Sequence, residues 1–129
     1  MDNKAARKGM ESLTGEEVVI LAIEALEREV NNGGYSQFFV NSSREFAPTI
    51  VESLRRIGCP RTAEITQQAL DALRLRRLTE DEIKQTMAEE SDQRDEILNE
   101  CDSLYFQRPE NVEEHLFAFI KANRDRIEP

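Results

Sequence analysis

Apolar residues recur three and four positions apart along most of the chain, the spacing of helices that each bury one face. Val19, Ile23, Leu26 and Val30 define a first helix, opened by Thr14 with Glu17 three positions on, a capping-box pattern, and running to about Asn31. The run Asn31-Asn32-Gly33-Gly34 stops it, because Gly and Asn accept the left-handed backbone that ends a helix. Tyr35, Phe38 and Phe39, at i, i+3 and i+4, predict a short aromatic helix reaching about Asn41 that plugs the core. Phe46, Ile50, Leu54 and Ile57 form the next stripe, which ends before Gly58 and carries Pro48 in its first turn. Pro60 opens a fourth helix, with Ile65, Ala69, Leu70 and Leu73 inward as far as about Arg77. The turn at Gly58-Cys59 is short enough to force a near-antiparallel hairpin.

Thr79 and Glu82 form a second capping box, opening a helical stretch to about Leu104. Ile83, Met87, Ile97, Leu98 and Cys101 share one sector of its helical wheel, but Glu90 and Arg94 intrude on that sector, which predicts a bend near Ser91. Pro109 and Glu110 begin a last helix whose Val112, Leu116, Phe119 and Ile120 face the core, with Lys121, Arg124 and Arg126 suited to its C-terminal dipole. Residues 1–13 lack apolar periodicity and read as a flexible N-terminal arm. The expected architecture is all-α, a single compact domain over residues 14–129 of about six helices packed as helical hairpins in a bundle.

Composition agrees with this pattern and narrows the partners. In 129 residues, 39% hydrophobic side chains supply one core without disulfide staples. Lys and Arg number 17 against 26 Asp and Glu, a net charge of -9, which disfavours direct binding to nucleic acid or to anionic lipid. No apolar run approaches the roughly 20 residues that span a bilayer, and the start of the chain lacks a hydrophobic signal core, so a cytoplasmic protein is expected. Cys59 and Cys101 lie 42 positions apart with a single His in the chain, a poor inventory for zinc; both are expected as reduced thiols, and no cofactor or metal is expected.

The charge is concentrated. Between Glu80 and Asp102 stand Glu80, Asp81, Glu82, Glu89, Glu90, Asp92, Asp95, Glu96, Glu100 and Asp102 against only Lys84 and Arg94, a net of -8 in one segment. Drawn as one straight helix, that segment would be about 34 Å long, with one carboxylate per about 3.4 Å, close to the phosphate spacing along a DNA strand. Asp81, Glu82, Glu89, Asp92, Asp95, Glu96, Glu100 and Asp102 would occupy the half of the wheel opposite the apolar stripe. The plain alternative is the solvated face that every amphipathic helix exposes. A dinuclear metal site at Asp92, Asp95 and Glu96 fails because His115 sits elsewhere. Cys59, at a helix N-terminus, reads as a small apolar turn residue rather than an activated thiol. Arg74, Arg76 and Arg77, directly before the acidic segment, are expected to pair with it across the turn.

The stretch Glu29-Val30-Asn31-Asn32-Gly33-Gly34-Tyr35-Ser36-Gln37-Phe38-Phe39-Val40-Asn41-Ser42 resembles the signature of the bacterial DNA-mimic protein family, a domain otherwise of unknown function. Phe46-Ala47-Pro48 with Leu54-Arg55-Arg56-Ile57-Gly58, and Leu104-Tyr105-Phe106, resemble two further segments of that family, so that the likeness covers about residues 15–123. The resemblance implies an all-helical domain, a dimer in a characterised member, that binds a DNA-binding transcription factor by presenting carboxylates in place of phosphates. The signature turn itself, Asn31, Asn32, Gly33, Gly34, Tyr35, Ser36, Gln37, Phe38, Phe39 and Asn41, reads as structural, with Gln37, Asn41 and Asn32 expected to form a polar network that locks it.

The expected function is a non-catalytic acidic interaction module for a basic protein such as a DNA-binding transcription factor, through Glu80, Asp81, Glu82, Glu89, Asp92, Asp95, Glu96, Glu100 and Asp102. Two alternatives remain open at the level of sequence, an immunity or antitoxin-like inhibitor of a basic toxin and a structural homodimer. No nucleophile, base or cofactor motif announces an enzyme.

Overall fold

The computed structural model describes residues 15–123, which fold as an all-α domain. The helices are α1 (Gly15–Val40), α2 (Ala47–Arg56), α3 (Pro60–Asp71), α4 (Glu80–Ala88), α5 (Asp92–Phe106) and α6 (Val112–Ala122), with a 3-10 turn (Ser42–Phe46) between α1 and α2. Thr14, the arm of residues 1–13, Arg124 and Arg126 lie outside the described residues. None of the described helices is long and apolar enough to cross a membrane.

α1 is the spine. Val19, Ala22, Ile23, Ala25, Leu26 and Val30 from its first part, and Tyr35, Phe38 and Phe39 from its second, are buried, and α2, the 3-10 turn, α4 and α5 all pack on it. α2 and α3 form the hairpin expected from the Gly58-Cys59 turn, and α5 closes the far side of α3. α6 rests at the margin, where Phe119 lies under the Arg56 guanidinium at 5.5 Å and His115 Nδ1 is 3.0 Å from the Ile57 carbonyl.

The break in α1 falls at Gly33 and Gly34, as the Asn-Asn-Gly-Gly run predicts. Gly34 has φ 80° and ψ -176°, a conformation nearly closed to residues with a Cβ. A Cβ there would also lie 2.3 Å from Asp102 Oδ2. The space is occupied because the Asp102 carboxylate accepts the Tyr35 N–H at 2.8 Å, satisfying a donor at the start of the helical turns after the break. Tyr35 then runs inward, its hydroxyl 2.8 Å from Thr66 Oγ1 on α3 and its ring edge-on to Tyr105 of α5. Phe38 and Phe39 are fully buried beside it.

The polar lock around this turn differs from the expected trio. Asn41 Nδ2 donates to Glu29 Oε1 at 2.9 Å, bridging the two sides of the break, and Asn31 Nδ2 donates to the Glu27 carbonyl at 2.7 Å. Gln37 lies over Gly33, whereas Asn32 is exposed and takes no part. Glu29, one turn before Asn32 on α1, takes the place expected for it.

Two helix ends move from their expected places. α3 stops at Asp71 rather than near Arg77, because Arg74 takes φ 56° and leads the chain out of the helix. Residues 72–79 form a link held down by buried Ala72 and Leu73 and half-buried Leu75 and Leu78. α6 starts at Val112 rather than at Pro109-Glu110, capped by Asn111, whose side chain accepts the Glu114 N–H at 3.1 Å. Glu110 serves another helix: its carboxylate accepts the N–H groups of Arg61 (3.1 Å) and Thr62 (2.9 Å) and the Thr62 hydroxyl, capping α3 from 48 residues away. Burial pulls the Glu110 carboxyl up, but these donors and the nearby His115 outweigh it and hold it below its ordinary value.

Candidate partner-binding face

The acidic segment is two helices and a corner. Thr79 caps α4 as expected, its Oγ1 accepting the Glu82 N–H at 3.2 Å, while the Glu82 carboxylate takes the Thr79 hydroxyl at 3.0 Å in place of the backbone N–H of a full capping box. Glu80, Asp81 and Glu82 fill the first turn, where the helix dipole favours carboxylates. Ile83 anchors α4 to the core with half-buried Met87 beside it, and the helix ends at Ala88. Ser91 then caps α5, its Oγ accepting the Arg94 N–H at 3.2 Å, with Asp92 and Asp95 in the new first turn. The bend expected near Ser91 is thus a complete break.

This break replaces the 34 Å rod. The two pieces are about 14 Å and about 23 Å long at 1.5 Å per residue, joined at residues 89–91. The reason is Arg94. It falls in the apolar stripe with Leu98, Cys101 and Tyr105, and its side chain is 9% exposed. Nη1 donates to the carbonyls of Thr86 (2.8 Å) and Glu89 (2.9 Å), which end α4, and Nε and Nη2 reach Asp95 Oδ1 at 3.2 and 3.1 Å. A continuous helix would bury this cation without those carbonyls, at a prohibitive desolvation cost.

Glu80, Asp81, Glu89, Asp92, Asp95, Glu96 and Glu100 are exposed, and Glu82 is partly so. Asp102 is not among them: it is turned inward against Tyr35, where burial pushes its carboxyl up and the Tyr35 N–H draws it part of the way back. On α5 itself Asp102 lies at the edge of the buried stripe, one turn from Leu98 and from Tyr105, and the Tyr35 N–H decides that it turns inward. Drawing the segment as one helix places Glu90 in the apolar sector, whereas it stands exposed in the link beside Glu89. Glu45 on the 3-10 turn adds a further exposed carboxylate, its carboxyl pushed up by burial and then by the charge of Glu80. The Ser91-Asp92 pair, a helix start in its own right, is the signal that marks the break in the sequence.

Arg74, Arg76 and Arg77 are exposed, and none forms an ion pair with the acidic segment among the described residues. Arg74 instead edges a groove of about 300 Å³ that Leu75, Glu89, Ser91, Gln93 and Ile97 also line. The cysteines lie in the core: Cys59 and Cys101 are free and buried, and burial first, then nearby carboxylates, pushes their thiols up to about 12 and about 11. Glu27, half-buried and hydrogen-bonded by the Tyr105 hydroxyl, is raised by burial and then by Glu113. No group of three or more His, Cys, Asp or Glu among the described residues is placed to hold a metal ion.

Taken together, a single all-α domain built on an aromatic core, with a net charge of -9 largely gathered on two short exposed helices, defines a small acidic helical protein. Residues 11–123 match the family described as DMP19-like protein, and the chain belongs to that family, which is one of DNA mimics and is not a known enzyme family. No curated protein and no solved structure matches it.

Proposed function

We propose that this chain is a non-catalytic interaction module whose acidic corner docks onto the cationic nucleic-acid-binding surface of a DNA-binding protein and competes with nucleic acid there. The observation that carries the reading is the exposure of Glu80, Asp81, Glu89, Glu90, Asp92, Asp95, Glu96 and Glu100 on α4, α5 and the link between them. Membership of a DNA-mimic family supports it. Asp102 is left out of the binding set because its carboxylate serves the fold. Carboxylates grouped at this density in water steer a basic partner and raise its association rate, an effect that salt screens.

The test is capture from a native lysate with wild type beside the triple variant Glu89→Lys, Asp92→Lys, Glu96→Lys, eluted with graded salt and read by mass spectrometry. Wild type should retain a basic DNA-binding protein that moderate salt releases. The variant should associate with the purified protein at least about tenfold more slowly at low salt while keeping its helical circular-dichroism spectrum. Equal retention by both chains overturns the proposal, and retention of a basic toxin instead of a DNA-binding protein replaces the partner.

A further inference from the structure

The two acidic helices touch each other little; each packs separately on α1. Their relative orientation therefore depends on what spans the corner between Ala88 and Asp92. One buried side chain does so. The Arg94 guanidinium binds the last carbonyls of α4, Thr86 and Glu89, and from the same plane holds Asp95 in the first turn of α5. Its charge is misplaced for α5, whose N-terminal dipole repels cations, but well placed for α4, whose C-terminal carbonyls attract them. A planar fork with five donors can join two carbonyls and a carboxylate at once, whereas a lysine ammonium cannot reproduce that plane.

Resting on the reading of the acidic corner as the docking face, we infer that Arg94 is its positioning residue: by clamping the end of α4 to the start of α5, it sets the arrangement in which Glu89, Asp92 and Asp95 are offered to a partner. Removal of this arginine acts with a sign opposite to simple electrostatics. Arg94→Met removes a positive charge from the most acidic part of the chain, so charge alone would strengthen attraction to a basic protein. Loss of the clamp weakens it instead, because a rigid partner surface requires the carboxylates in one arrangement.

The experiment has a structural and a binding arm. For the first, Gln85→Cys and Asn99→Cys, both exposed and on different helices, carry spin labels, while buried Cys59 and Cys101 with their raised thiols stay unlabelled. The electron-electron distance distribution should be narrow in the wild-type background and broad with Arg94→Met, and Arg94→Lys should lie between them. For the second, two probes are compared: poly-L-lysine, a flexible polycation that adapts to any arrangement, and the purified basic protein retained by wild type in the capture experiment. Arg94→Met should bind poly-L-lysine as well as wild type or better, yet bind the folded protein about tenfold more weakly. Tyr35→Phe, which loosens the core without touching the corner, serves as the stability control and should leave both affinities unchanged below its melting temperature.

An unchanged distance distribution with Arg94→Met overturns the inference, as does undiminished binding of the folded protein. A binding loss matched by Tyr35→Phe at equal loss of stability overturns it too, by reducing Arg94 to a general stabiliser. If nothing basic is captured by wild type, the docking proposal fails while the distance measurement still decides whether Arg94 sets the corner.

Discussion

The turn at Gly33-Gly34 and the corner at residues 89–91 both interrupt a helix, and they do so by opposite means. At the first, the break is written into the backbone: Gly34 takes a conformation that only glycine enters readily, and the freed N–H of Tyr35 is satisfied by the distant Asp102. At the second, no glycine appears. Ser91 caps the new helix, and the buried Arg94 donates to two carbonyls at the end of the old one, Thr86 and Glu89, the first of which also accepts the Glu89 N–H. The glycine turn faces the core and orients Tyr35, Phe38 and Phe39, whereas the arginine corner faces water and presents carboxylates. A substitution at the first should therefore act on folding, and one at the second on binding.

The largest effect that tests this division belongs to Gly34→Ala. The new Cβ must push the Asp102 carboxylate off the Tyr35 N–H while the backbone stays at φ 80°, so unfolding free energy should fall by about 3 kcal/mol or more. Thermal or urea unfolding reads it directly, and a loss below about 1 kcal/mol would show that the turn relaxes without glycine. Tyr35→Phe should cost less, about 1–2 kcal/mol, by leaving Thr66 Oγ1 on α3 without its buried partner. The double variant Tyr35→Phe, Thr66→Val should recover part of that loss; no recovery would mean that the hydroxyl pair is not the source of it.

The smallest effect concerns pH. The folded Asp102 carboxyl sits above its ordinary value of 3.8, so the native chain binds this proton more tightly than the unfolded chain. Its contribution to stability is therefore fully present below 3.8, is lost as pH rises through the window directly above that value, and is flat beyond it. Asp102→Asn keeps an acceptor for the Tyr35 N–H but does not titrate, so its stability minus that of wild type should increase with pH across that window. Glu27 has the same sign as Asp102 and Glu110 the opposite, which is why the difference between the two chains, rather than either curve alone, is the informative quantity. A difference that is flat with pH would place Asp102 in water with the other carboxylates of its segment.

Much of this arrangement is legible in the chain itself. Apolar spacing identifies the helical segments, although the aromatic helix joins α1 and the stretch after Thr79 divides into α4 and α5; the Asn-Asn-Gly-Gly run marks the break in α1, and Thr79 with Glu82 marks the start of α4. These features are local: a cap, a turn or an amphipathic stripe depends on residues within about one or two helical turns of each other. Glu90 and Arg94 disturb the stripe strongly enough to locate the bend, and Ser91 supplies its cap.

What tertiary structure alone decided is where long-range polar partners fall. Asp102 turns from an apparent surface charge into the acceptor for Tyr35, 67 residues away, and Glu110 leaves the helix it precedes to cap α3. Arg94 becomes buried because two carbonyls and a carboxylate wait for it. Periodicity records which face a residue occupies, but not which unpaired donor or acceptor another element brings to that face. For a buried charge, that partner determines whether burial is tolerated at all.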